Sequence, residues 1–432
     1  MKKLLALIFV FTTMGLMVSC DDDDPIDDVI PEPTEEELQE AAVEAVQTAV
    51  DAVASSDDTA TGASDETEFA DWTLIDNKDQ TAGRVKAVAP VEKTIDFDIS
   101  EDTTWDGNGV GDDDADTVFV LDKRVIVKSG ATLTITAGTI IKGNSELSGA
   151  NAAVLMVARG GKLMAEGTAE APIIMTSTDD DIVPGALAGT SLDQDDNGKW
   201  GGLVILGKAP VSAKTEDPQI EGVDAAITEG QYGGDDAADN SGSIKFVSIR
   251  HGGAEIAEGS EINGLTLGGV GTGTTIENIE IYANKDDGVE FFGGTVNVTN
   301  VVVYNVGDDG IDIDQSYAGE VKNFAVYVGA SDEGLEIDGR EGALDKSFKL
   351  TDGVIYSIAG TDKSTDADIK SKAKGTLTNV VFTDGKVKLS ASFDAESLEE
   401  SEDAASNAVA GSLVFTKVSA DSFEVYTNSF DE

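Results

Sequence analysis

The stretch that decides the fold is "NKDDGVEFFGG" (284–294), because it returns twice, as "NVGDDGIDIDQ" (305–315) and "GASDEGLEIDG" (329–339). Each copy sets an acidic pair before a glycine and then a short run of alternating apolar and acidic residues. The residues ahead of each copy also align: "NIEIYANKDDG" from Asn278, "NVVVYNVGDDG" from Asn300 and "NFAVYVGASDEG" from Asn323. Weaker copies begin at Asp352 ("DGVIYS") and Asn379 ("NVVFTDG"), and "FVSIRHGG" from Phe246 fits the frame with Arg250 in the tyrosine place. A period in the twenties, made of strands without helices, is one coil of a parallel β-helix, whereas a propeller blade needs about forty residues.

In such a coil, equivalent residues of successive rungs stack about 4.8 Å apart. Strand alternation then points Val289/Phe291, Ile311/Ile313 and Leu335/Ile337 inward as apolar ladders. Glu290, Asp312 and Glu336 point outward, and Gly288, Gly310 and Gly334 mark the turn before each strand. Roughly eleven coils make a rod about 50 Å long. The strand pattern starts at Thr117 with "TVFVLDKRVIVKSGATLTITAGTIIKG", short β-branched runs cut by glycine and lysine turns.

The chain has 432 residues, with 29 Lys+Arg against 83 Asp+Glu and a formal net charge of -54. Such a surface repels nucleic acid and anionic membranes and attracts divalent cations. It begins "MKKLLALIFVFTTMGLMVSC", two lysines, a short apolar run and a lone cysteine, Cys20. The run is too short to span a bilayer and reads as a signal peptide over 1–19. One cysteine gives no disulfide framework. "MVSC" resembles the lipobox of bacterial lipoproteins, which implies lipidation of Cys20. The following "CDDDDPIDD" resembles the acidic export signal of surface lipoproteins, which implies an outer-membrane, cell-surface protein held in the bilayer by its N-terminal lipid.

The expected organisation is a signal peptide (1–19), an acidic tether with one amphipathic helix (20–67), an N-terminal cap region (68–116), the β-helix (117–360), and last coils or a β cap with an acidic insertion (361–432). In the helix, Leu38, Ala42, Val46, Val50 and Val53 recur at helical spacing. It is expected to cap the next domain or act as a stalk.

The segments "SGATLTITAGTIIKG", "KWGGLVILGKAP", "EINGLTLGGVGTGTTIENIEIYANKDDGVEFFGGT" and "VGDDGIDIDQSYAG" resemble the pectin-lyase-like superfamily, and within it a group of bacterial outer-membrane lipoproteins. The resemblance covers about residues 95–360. It implies an all-β fold, a right-handed single-stranded parallel β-helix, and says less about chemistry.

Three kinds of residue carry the candidate chemistry. Stacked carboxylates repel, so a bound Ca²⁺ or a raised pKa must relieve them. The candidate metal ligands are Asp287, Asp309 and Glu333 at the turns, and Asp193, Asp195 and Asn197 in "DQDDNG". The latter is the first half of a calcium loop, with Val204 where its closing Glu belongs. If the protein is an enzyme, Asp308, Asp309, Asp312 and Glu290 are the candidate catalytic acids. Asp308 and Asp309 resemble the aspartate pair of β-helical polygalacturonases, but the histidine and basic motif of that family are absent. In the pectate-lyase pattern a basic residue abstracts the proton, and Arg250, Lys285 and Arg340 are placed near the acidic face by frame. Tyr282, Tyr304 and Tyr327, with Tyr356, form an outward stack, either a sugar platform or a brace for the turn. Asn278, Asn300 and Asn323 are expected to satisfy turn backbone groups.

His251 is the only histidine, which excludes a Ser-His-Asp triad and the usual zinc sites. The expected function is a non-catalytic ligand-binding or accessory module, for glycans or for an uptake receptor. The alternatives are a calcium-dependent polysaccharide hydrolase or lyase, and a structural surface protein or adhesin.

Overall fold

The computed structural model describes residues 33–62, 66–77, 89–109, 115–256, 261–329, 331–358, 366–394, 397 and 400–431. The expected signal peptide, Cys20 and the acidic stretch after it lie outside the described residues. The chain winds between two parallel sheets, a 14-stranded sheet of mostly long strands and a 10-stranded sheet of mostly short ones. Each rung contributes to both, so this is an all-β, right-handed parallel β-helix. Registers are continuous: Val289 pairs with Ile311, Ile311 with Leu335, Leu335 with Ala367, and Ala367 with Val387. The frame does not stop at residue 360. Strands Gly375–Phe382, Lys386–Asp394, Leu413–Ser419 and Ser422–Asp431 extend the same two sheets, and the first rung already begins at Val91.

The apolar ladders close the interior. Val289, Phe291, Ile311, Ile313, Leu335 and Ile337 are all buried, facing Ile279, Ile281, Val301, Val303, Phe324 and Val326 of the other sheet. Each such side chain contributes about 1.5–3 kcal/mol of burial. The turn glycines are required by space. A Cβ on Gly288 would stand 2.4 Å from the carbonyl oxygen of Gly310 and 2.5 Å from Val303 Cγ1, and one on Gly310 would meet Val326 in the same way.

The long strands bend at one left-handed residue per rung: Phe246, Asn278, Asn300, Asn323, Asp352, Asn379 and Lys417, with φ between 48° and 59°. Asparagine and aspartate tolerate this conformation best among non-glycine residues. Their side chains also join rung to rung. Asn300 Nδ2 donates to Asn278 Oδ1 (2.8 Å), Asn323 Nδ2 to Asn300 Oδ1 (2.7 Å), and Asn379 Nδ2 to Asp352 Oδ1 (2.7 Å).

The helix Glu35–Asp51 opens on a capping box, in which Glu37 N–H donates to Thr34 Oγ1 (3.2 Å) and Thr34 N–H to Glu37 Oε2 (2.7 Å). It covers the end formed by the last rung. Val46, Val50 and Ala54 pack in one cluster with Ala404, Ala405, Ala408 and Phe423. Gln47 closes the sheet edge there, donating to Phe423 O (2.8 Å) and accepting from Val425 N–H (2.6 Å). The helical stripe drawn from the sequence fails at one place: Val53 lies past the helix end and is 52% exposed.

From that end the chain returns along the bent corner as a strap. Asp57 N–H donates to Val418 O (2.8 Å), Thr61 N–H to Asn379 Oδ1 (2.8 Å), and Leu74 N–H to Glu280 Oε1 (2.6 Å). Phe69 and Trp72 cluster with Val302 and Ala325, and Trp72 meets Phe246 edge-on at 5.5 Å.

Replacing Asn300 by Ala adds about 1–2 kcal/mol of left-handed strain and loses two side-chain bonds of about 1 kcal/mol each. Denaturant unfolding of Asn300→Ala is therefore expected to show a loss of about 3–4 kcal/mol. Asn300→Gly, which accepts the backbone, is expected to lose clearly less. Equal losses would refute the conformational role.

Candidate cation-binding site

One outward column runs the length of the short-strand sheet. In register it reads Ile126, Met156, Val204, Thr266, Glu290, Asp312, Glu336, Asp368 and Lys388. Its first third is apolar and is covered by Ile220, Val223 and Tyr232 from the segment that follows the strand Leu203–Leu206. The same cover extends over the acids. Tyr232 packs on Phe292 (ring centroids 5.8 Å apart) and donates from its hydroxyl to Gln315 Oε1 (3.2 Å). Glu290 and Asp312 point away from the core as expected, yet only 5% and 8% of their surfaces are exposed. Alternation fixes the direction of a side chain and cannot reveal a covering loop.

Asp287, Glu290 and Asp312 bring carboxylate oxygens within 4.8 Å of one another, and Asp286, Asp287 and Asp308 form a second such group at the rim. Asn263 donates to Glu290 and lies 3.5 Å from Glu221 Oε1. Asp312 Oδ1 and Asn263 Oδ1 are buried without a hydrogen-bond partner. Burial, and then the charges of their neighbours, push Asp287, Glu290 and Asp312 well above the usual carboxylate range. The same causes raise Asp286 to about 7, Asp309 to about 8 and Asp314 to about 7.

No basic side chain among the described residues pairs with Asp287, Glu290 or Asp312. The nearby lysines are engaged elsewhere: Lys285 with Glu261 (2.9 Å) and Glu255 (3.2 Å), Lys388 with Glu333 (3.0 Å) and Asp366 (3.1 Å), and Lys370 with Glu336. A divalent cation fits the group. Ca²⁺ takes six to eight oxygens, and an orphaned buried carboxylate oxygen is what such an ion would satisfy.

The candidate residues are thus redistributed. Asp287 joins Glu290 and Asp312, two residues read from the sequence as acids of catalysis. Asp309 and Asp287 serve the turns: Asp287 Oδ1 accepts the Asp309 N–H and Asp309 Oδ1 the Glu333 N–H, both at 2.9 Å. Glu333 lies in neither carboxylate group and is paired with Lys388. Asp308 stays exposed at the rim with Asp286. In the loop of Asp193, Asp195 and Asn197, Asp193 Oδ1 accepts the Asp195 N–H (2.9 Å), while Asp196 pairs with Lys199 (3.2 Å). This loop lies on the other sheet, where Gln194 Oε1 accepts from the Tyr304 hydroxyl (3.1 Å).

The tyrosines do stack, with Tyr282 and Tyr304 5.2 Å apart and 6° from parallel. They do not form an open platform, because Tyr282 and Tyr304 are buried in one cluster with Leu74 and Ala188. Arg250 is not near the acidic column: it is fully buried on the long-strand sheet, 3.5 Å from Glu280. Arg340 pairs with Glu402 (2.7 Å). Glu221 and Asn263 were missed because they lie outside the repeat. The lone signal for Glu280 was its outward place in "NIEIY".

A family model described as a pectate-lyase-like β-helix domain matches residues 109–431. The chain belongs to this family of pectate-lyase-like β-helix proteins. No curated protein and no solved structure matches it.

A carboxyl whose folded pKa is raised contributes stability at low pH that is lost as pH rises through the folded value. For Asp286, Asp309 and Asp314 that window extends up to about 8. Between pH 6.5 and 8.5 the Tm of the chelator-treated protein is expected to fall as pH rises. Added calcium is expected to flatten the slope, and Asp312→Asn to reduce it without calcium. A calcium-independent slope would argue against the site.

Proposed function

We propose that this protein is a lipid-anchored, cell-surface module that binds its ligand without transforming it, and whose acidic column is braced by calcium. The observation that carries this reading is the buried Asp287–Glu290–Asp312 group with the orphan Asp312 Oδ1 and no basic partner. The pectate-lyase pattern needs an uncommitted basic side chain, and Lys285, Lys370 and Lys388 beside the column are committed to ion pairs. The anchor reading rests on the sequence around Cys20, and the bilayer, a glycan and an uptake receptor are its proposed partners. Since the helix Glu35–Asp51 sits on the last rung, an anchor at Cys20 joins the rod at that end and projects the first rungs outward.

Calorimetric titration of the detergent-solubilised full chain is expected to show calcium binding that Asp312→Asn weakens at least tenfold. Saturating calcium should raise Tm, as any ligand of the folded state does. Incubation with neutral and acidic polysaccharides should release no sugar ends. Release abolished by Asp309→Asn would establish the hydrolase or lyase alternative instead, and absence of calcium binding would remove the brace.

A further inference from the structure

A cavity of about 310 Å³ lies on the long-strand sheet, away from the acidic column, between that sheet, the strap and the loop around residues 188–195. Its floor is Arg250 and Tyr282, register partners on neighbouring rungs. His251 stands edge-on to Tyr282, with ring centroids 5.8 Å apart. Leu74 and Leu192 supply apolar walls, and Asp193 supplies a carboxylate.

Arg250 is fully buried. Its Nε donates to Ser248 Oγ (2.7 Å) and its Nη1 to Leu187 O (2.6 Å), but Nη2 has no hydrogen-bond partner. The adjacent carboxylate of Glu280 is already occupied. Its Oε1 accepts from Leu74 and Ile75 N–H (2.6 and 3.2 Å), its Oε2 from the Ser248 hydroxyl (2.5 Å), and Nη2 remains 3.5 Å from Oε2. A buried donor left unmade is costly, so an acceptor from outside the chain is called for. On the other side, His251 Nδ1 lies 2.5 Å from Asp196 O. A carbonyl only accepts, so Nδ1 carries the proton, and burial keeps the ring neutral with Nε2 as an acceptor.

We propose that this cavity binds a neutral, hydroxyl-rich molecule of monosaccharide size, such as one sugar unit of a glycan. A hydroxyl group both accepts, as Nη2 requires, and donates, as His251 Nε2 and Asp193 require. An anion is disfavoured: the charge of Arg250 is balanced by Glu280, and Asp180, Asp193 and Asp195 also line the cavity. A cation would face the Arg250 guanidinium, whose Nη2 can only donate. The C–H faces of a sugar ring suit Leu74, Leu192 and Tyr282. The site deepens the reading of the protein as a binding module but does not use the calcium column.

The test is calorimetry of the solubilised full chain against neutral monosaccharides and short oligosaccharides, beside uronic acids and amino acids, in calcium and again in chelator. At least one neutral sugar is expected to bind equally in both buffers. Leu192→Trp, which fills the cavity from its lid, and Arg250→Lys should each weaken binding at least tenfold. Circular dichroism and Tm confirm folding, and Leu192→Trp leaves the buried ion pair untouched if Arg250→Lys fails to fold. Binding of uronic or amino acids alone, binding insensitive to Leu192→Trp, or no binding of any neutral sugar would overturn the proposal. Sugar binding that requires calcium and fails in Asp312→Asn would overturn it too, while leaving the binding-module reading intact. Sugar cleavage would instead overturn that broader reading.

Discussion

The stacking of one rung on the next through parallel backbone hydrogen bonds, about 4.8 Å apart, is the constraint on which everything else depends. It forces whatever residue occupies one place in the coil to lie against its counterparts above and below. Where the place is apolar, this yields the continuous ladders of Val289, Ile311 and Leu335. Where it is asparagine, it yields a chain of amide bonds along a corner that would otherwise be strained. Where it is acidic, the same geometry brings like charges together.

The chain resolves that conflict differently along one column. Toward the last rungs lysines are interleaved: Lys388 holds Glu333 and Asp366, and Lys370 holds Glu336. At the turns, Asp287 and Asp309 spend an oxygen on the backbone of the following rung. Only around Glu290 and Asp312 are both remedies missing, and there the acids are also sealed from water by Tyr232 and its loop. Carboxyls without a basic partner in the driest part of a charged face are what set this candidate site apart from the wall around it.

The periodic part of the structure was legible in the sequence because period reports what repeats. The frame from Asn278, the inward residues, the tyrosine stack and the place of Arg250 opposite Tyr282 all follow from alignment of the copies. What was not legible comes from segments used once. The loop bearing Glu221 and Tyr232, Asn263, and the strap that buries Tyr282 have no second copy to reveal their partners. For the same reason the partner of Glu333 could not be read from the turns. That partner is Lys388, 55 residues away and in no repeated relation to it. After residue 360 inserted acidic residues blur the spacing, so last coils and a β cap stayed equally open, while the registers themselves continue unbroken.

The N-terminal helix and strap also set an order of events. Rungs of a solenoid can be added one after another, each closing on its neighbour. The helix Glu35–Asp51 has no such neighbour, since Gln47 reaches Phe423 across 376 residues of chain. It acquires its binding surface only when the last strands exist. In a chain synthesised N-terminus first, the earliest segment must wait for the latest one. Until then the growing end of the rod presents open strand edges of the kind that recruit other chains. The strap that follows this helix supplies Leu74 to the wall of the sugar-sized cavity, so that wall is complete only once the N-terminal segment has docked.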